Sequence, residues 1–144
     1  MIVETETSAL AKLINSQRAY FNSGATLSYE FRIQQLKKLK QVIRNYEQQI
    51  FDALKTDLNK HEFESYGTEV GLVYEELNVA ISKLKKWMRP ERKGSPLALF
   101  PSASYLYKDP LGCVLIIAPW NYPFQLLINP LVGATAGGNC AILK

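Results

Sequence analysis

The stretch Leu111–Lys144, LGCVLIIAPWNYPFQLLINPLVGATAGGNCAILK, decides how the chain is to be read. It opens with LGCVLIIA, apolar without alternation, which suits a strand covered on both faces inside a parallel sheet. After Trp120 the period changes. Phe124, Leu127, Ile128, Leu131 and Val132 recur at helical spacing, with Pro130 expected to kink that helix and Gly137-Gly138 to stop it. NCAILK then begins a second short apolar strand. Strand, helix, strand in this order predicts a βαβ unit with a right-handed crossover. Two strands alone cannot bury both faces of a parallel sheet, so the domain is expected to be incomplete within this chain.

Upstream of this unit, SYLYKD reads as a half-exposed strand, set off from the next by a turn at Asp109-Pro110. The segment Arg89–Ser104 carries three prolines and a glycine and predicts an extended connection without a regular element. Everything before it reads as helix. Leu27, Phe31, Leu36, Leu39, Ile43, Tyr46, Ile50, Leu54 and Leu58 predict one long amphipathic helix from Ser28, its N-cap, to Leu58, roughly 45 Å at 1.5 Å per residue. A second helix, Tyr66 to Met88, carries Val70, Val73, Leu77, Ile81, Leu84 and Trp87 as a core stripe, and a weaker pattern runs from Leu10 to Phe21. The fold expected is α/β: N-terminal helices leading into a Rossmann-like parallel sheet. Residues 1–104 form the helical part and linker, 105–117 two strands, and 118–144 the start of the βαβ unit.

With 144 residues, 47% of them hydrophobic, the chain can bury a core, and disorder is not expected. Its formal charge of +4 comes mostly from RIQQLKKLKQVIR and KLKKWMRPERK, which read as solvated helix faces rather than a nucleic-acid surface. The apolar run Cys113–Trp120 is too short to span a bilayer, and MIVETETSALAK lacks the basic start of a signal peptide, so a cytoplasmic location is expected. Cys113 and Cys140 sit among aliphatics without CxxC spacing, which suits inert core thiols and gives no metal site or disulfide. His61, in NKHEFE, has no neighbour that would make it a base.

In an open α/β sheet, ligands bind at the carboxyl ends of the strands. Asn121 falls there, between Pro119 and Pro123, which restrict the backbone on either side. Two roles fit that spacing equally. The carboxamide can donate to an oxygen that becomes negative during attack on a carbonyl, or it can cap the helix starting near Pro123. Lys144, by spacing alone, is an exposed lysine ending a strand.

PLGCVLIIAPWNYPFQLLINPLVGATAGGNCAILK, with LKTDLNKHEFESYGTEVGLVYEEL and YEFRIQQLKKLKQVI upstream, resembles the N-terminal third of an aldehyde dehydrogenase. The Pro-Trp-Asn-Tyr-Pro form and short N-terminus resemble the class 3-like branch, which acts on fatty and aromatic aldehydes. The resemblance implies an NAD- or NADP-dependent oxidoreductase, in which a cysteine thiolate attacks the aldehyde and a glutamate activates water to release the acid. It gives Asn121 the oxyanion-hole role, Lys144 a bond to the adenosine ribose, and Ile117, Ala118, Pro119 and Trp120 the lining of the cofactor cleft. Tyr122 aligns with the substrate tunnel, although an aromatic there can also simply pack. A homodimer is implied, with the run from Tyr105 to Ile116 contributing to an oligomerisation arm. No Gly-x-Gly-x-x-Gly is present, and the family's Rossmann-like domain does not use one. The catalytic cysteine and general-base glutamate are implied to lie beyond Lys144, so these 144 residues by themselves are expected to be inactive. A catalytically silent self-association module is the alternative, and a basic nucleic-acid binder a more distant one.

Overall fold

The computed structural model describes residues 7–144. Six helices lead into and include one crossover: α1 (Thr7–Asn22), α2 (Tyr29–Asn45), α3 (Glu47–Leu58), α4 (Glu62–Ser65), α5 (Gly71–Trp87) and α6 (Pro123–Gly137). The strands are β1 (Glu91–Lys93), β2 (Ser104–Leu106), β3 (Cys113–Ile116) and β4 (Cys140–Leu143). β3 and β4 pair in parallel, with Cys113 opposite Cys140 and Ile116 opposite Leu143, and α6 connects them. This is the βαβ unit the sequence predicts. Its residues after β3 and β4 remain joined, because Lys144 N–H donates to Ile116 O at 2.9 Å and Ala118 N–H to Lys144 O at 3.1 Å.

The expected single helix from Ser28 to Leu58 is two helices. Ser28 does cap it, its hydroxyl accepting from Phe31 N–H at 3.1 Å. At Tyr46, however, φ is −110° and ψ 12°, and the N–H is shared between Val42 O and Ile43 O. No proline or glycine causes the break. The turn tightens to a shared i−3/i−4 bond after Asn45, a weak helix former. The phase of the buried stripe shifts across the break: Tyr46 and Leu58 are exposed while Phe51, absent from the expected stripe, is buried.

The second helix begins earlier than Tyr66 and is interrupted. His61 caps α4, its Nδ1 accepting from Phe63 N–H at 3.2 Å, and Tyr66–Val70 then forms a π turn before α5. Gly71 closes that turn by donating its N–H to Tyr66 O. Of the expected stripe, Val70, Val73, Leu77 and Leu84 are buried, whereas Trp87 at the helix end is 39% exposed. The linker is not without regular elements: β1 pairs antiparallel with β2, Glu91 opposite Leu106, and a short 3₁₀ turn spans Leu97–Leu99. The two runs of 105–117 therefore do not pair with each other.

The core lies between α2, α5 and α6, built from Leu36, Ile43, Val73, Leu77, Leu84 and Val132 with Phe51 of α3 at its edge. α6 runs through Pro130 and ends as expected at Gly138, in the left-handed region at φ 84°. Gly138 N–H bonds Thr135 O and Asn139 N–H bonds Ala134 O, a Schellman ending that only glycine enters without strain. Among the described residues, no helix is long and apolar enough to cross a membrane.

Candidate functional site

The site is built where β3 and β4 end and α6 begins. Ile117 and Ala118 continue from β3 beside Lys144, joined by the Ala118–Lys144 backbone bond. Pro119, Trp120 and Asn121 follow as an exposed bend, Trp120 being 87% exposed. Tyr122 leads into Pro123, the first residue of α6. The structure thus brings Ile117, Ala118 and Lys144 together at the carboxyl edge of the sheet and leaves Asn121 and Tyr122 beside them along the chain.

Asn121 is not the cap of α6. Tyr122 holds the N-cap position and offers no side-chain bond, and Pro123 has no N–H to satisfy. The free donors of the first turn, Phe124 and Gln125 N–H, are taken by Glu69 Oε2 from the π turn, at 2.8 and 3.3 Å. Glu69 is fully buried, and a carboxylate at this end also meets the positive pole of the helix. Its other oxygen, Oε1, accepts from Lys60 Nζ at 2.5 Å. The same ammonium donates to Asn121 O at 3.1 Å and lies 4.0 Å from the centre of the Tyr122 ring, a cation–π contact.

Lys60 reaches this point because α3 ends at Asn59 in the left-handed conformation, φ 53°, which turns the chain back toward the α5 side. The backbone of Asn121 is therefore fixed from below by a buried charge pair. Its carboxamide, in contrast, has no hydrogen-bond partner among the described residues and stands exposed. Tyr122 is 37% exposed yet held by the ammonium over its ring, which suits a pocket wall as well as packing.

The cysteines keep the inert reading. Cys140 is buried, and burial together with the neighbouring Cys113 pushes its thiol up, against thiolate formation. Cys113 is half-buried on the paired strand. Among the described residues, no three of His, Cys, Asp and Glu gather as a metal site. Lys60 and Glu69 are not among the site residues the sequence predicts. Glu69 stands four residues before Val73 and eight before Leu77, in phase with the apolar stripe, which was the available signal.

The profile of the aldehyde dehydrogenase family matches residues 2–144, and the chain belongs to that family. It is 49% identical over 127 residues to the 4,4'-diaponeurosporen-aldehyde dehydrogenase of Staphylococcus aureus, covering 88% of this chain and 28% of that protein. To aldehyde dehydrogenase family 3 comG of Dictyostelium discoideum it is 44% identical, over 96% of this chain and 29% of the relative. The solved structure of the substrate-bound state of Staphylococcus aureus AldH superposes with a TM-score of 0.92 at 46% identity, over 94% of this chain and 30% of that one. The class 3-like branch read from Pro-Trp-Asn-Tyr-Pro thus has its counterpart in the family 3 relative from Dictyostelium discoideum. The chain spans less than a third of the length of the relatives it matches.

Proposed function

We propose that these residues form the cofactor-cleft edge and the oxyanion donor of an NAD- or NADP-dependent aldehyde dehydrogenase that converts fatty or aromatic aldehydes to carboxylic acids. The observation that carries this reading is Asn121: an exposed, unengaged carboxamide whose own backbone carbonyl is anchored by a buried ammonium. Preorganised donors aimed at developing charge need no reorganisation during the reaction, and one is worth about 10² to 10³ in rate. The Asn121 NH₂ would donate to the aldehyde oxygen as it becomes negative under thiolate attack.

The residues present suit a dinucleotide. Lys144 offers an exposed ammonium, without an ion-pair partner among the described residues, at the sheet edge where ligands of such folds collect. Ile117, Ala118, Pro119 and Trp120 offer an exposed, partly apolar strip next to it. When bound, the cofactor supplies the hydride acceptor. Lys144 would hold its adenosine ribose, the strip would pack against it, and Tyr122 would wall the path of the aldehyde.

In the whole enzyme, Asn121→Ala is expected to lower kcat by about 10² to 10³ while leaving the dissociation constant of the cofactor within about 3-fold. Steady-state kinetics with cofactor titration by fluorescence measure both. Unchanged kcat would remove the oxyanion role.

A homodimer is the assembly we favour, with residues 105–117 in the arm. It is supported by the exposed apolar side chains Tyr105, Leu106 and Tyr107 on and beside β2.

A further inference from the structure

We infer that Lys60 and Glu69 are positioning residues for Asn121: a buried ion pair that fixes the start of α6 and the Asn121 carbonyl, and through them the aim of the Asn121 carboxamide. The inference rests on the oxyanion reading of Asn121 and extends it to two residues that touch no reacting atom.

The geometry leaves little else for the pair to do. A buried ion pair by itself is weak support for stability, because desolvation offsets attraction. Here every strong contact of the pair points at one bend. Glu69 divides its oxygens between Lys60 and the two first free N–H groups of α6, Phe124 at 2.8 Å and Gln125 at 3.3 Å. Lys60 divides its ammonium between Glu69, Asn121 O at 3.1 Å and the Tyr122 ring at 4.0 Å. The bend has no local cap of its own, since Tyr122 contributes no side-chain bond. Without the pair, the Asn121–Pro123 segment keeps the Leu126 N–H bond to Tyr122 O at 3.0 Å and the φ restriction of Pro123, but loses the contact that holds the Asn121 carbonyl. The π turn delivers Glu69: the extra residue in the turn lets both Glu69 and Val70, adjacent in sequence, be fully buried.

Positioning of this kind acts on turnover. A displacement of about 1 Å in a group that stabilises a transition state can cost roughly 10²-fold. In the whole enzyme, Glu69→Gln keeps an acceptor for α6 but removes the charge that holds Lys60, and is expected to lower kcat about 10-fold or more, with the cofactor dissociation constant unchanged. In the Asn121→Ala background the same change is expected to lower kcat less than about 3-fold, because residues acting as one unit are not additive. Hydrogen exchange of the amides of Phe124 and Gln125, followed by mass spectrometry, is expected to quicken in Glu69→Gln.

An equal loss of kcat in both backgrounds overturns the inference, as does unchanged kcat or unchanged exchange in Glu69→Gln. Lys60→Met, which leaves the Glu69 bonds to α6 in place and cuts the tie to Asn121, is the second variant. It is expected to show the same dependence on Asn121, and its failure to do so overturns the inference even if Glu69→Gln does not fold. Should Asn121→Ala alone leave kcat unchanged, the oxyanion reading fails and the catalytic part of the inference with it. The exchange rates then still decide whether the pair clamps the bend.

Discussion

Arg32 does at the carboxyl end of α6 what Glu69 does at its start. Its guanidinium donates to Ala136 O at 3.3 Å and to Thr26 O at 2.9 Å, while Thr26 Oγ1 donates to Gly138 O at 2.7 Å. A cation at this pole complements the helix dipole, and the carbonyls it meets would otherwise be unpaired. Arg32 is only 6% exposed, and burial lowers its pKa from the ordinary arginine value, although a guanidinium keeps its charge at any working pH. Arg32→Met removes these donors and leaves buried acceptors behind, a loss of about 2–4 kcal/mol. Urea unfolding followed by Trp87 and Trp120 fluorescence would measure it, and a loss below about 0.5 kcal/mol would show the guanidinium to be dispensable. Gly138→Ala is expected to be as damaging, because an added Cβ would run into the same guanidinium and the backbone is left-handed there. These residues show what was legible. Asn121 and Lys144 are proposed for the site through a family motif, and Gly138 is expected as a helix stop through its doublet. Arg32 and Glu69 lie in phase with apolar stripes, four residues before Leu36 and Val73, yet a charge in a stripe is invisible as a cap until the helix end it serves is placed in space.

At the scale of elements, the strongest local constraint is the π turn Tyr66–Val70. A Cβ on Gly71 would stand 2.7 Å from Tyr66 O, so an alanine there must reshape the turn that delivers Glu69. Gly71→Ala is expected to cost about 1–3 kcal/mol of stability and, in the whole enzyme, to lower kcat as Glu69→Gln does. Loss of stability with fully retained kcat would separate the turn from the site. Helix periodicity could not reveal the turn, since one extra residue changes the phase without changing composition. The break at Tyr46 was hidden for a related reason: apolar residues recur on both sides of it, and no glycine or proline marks it. β1 was missed because Pro90, Gly94 and Pro96 flank only three residues, whose pairing is long-range. That pairing has a charged clasp: Glu91 accepts from Lys108 and Lys93 at 2.5 and 2.9 Å, and these cations pull its carboxyl down to about 2. A carboxyl whose folded value lies below its unfolded one stabilises at high pH and loses that contribution as pH falls through the folded value. NMR titration should therefore place the Glu91 midpoint near 2, with β1–β2 amides exchanging faster only below the ordinary glutamate range. A midpoint at the ordinary value would show that the clasp does not persist in solution.

At the scale of the whole molecule, the core between α2, α5 and α6 is closed, while two apolar surfaces are not. One is the sheet, where Leu115 is 59% and Ile117 66% exposed although the run LGCVLIIA has the composition of a strand covered on both faces. The other runs from the linker through β2 to the start of β3, where Leu97 and Leu111 are each 93% and Phe100 83% exposed. Single exposed apolar residues are ordinary, but contiguous groups of them mark interfaces. The parallel pair β3–β4 also has two open edges, each a template for another strand. These surfaces agree with a chain that matches less than a third of the length of its relatives and carries one closed layer of the larger fold. The 144-residue polypeptide studied alone is accordingly expected to self-associate, with a weight-average mass in sedimentation velocity that rises above 16.3 kDa as concentration increases. Replacing Leu106 and Leu111 by serine should lower that tendency if the outer part of the arm drives it, and replacing Leu115 and Ile117 should do so if the sheet face does. A monodisperse species of 16.3 kDa at high concentration would show that neither surface drives association, and would count against the arm as the route to a dimer.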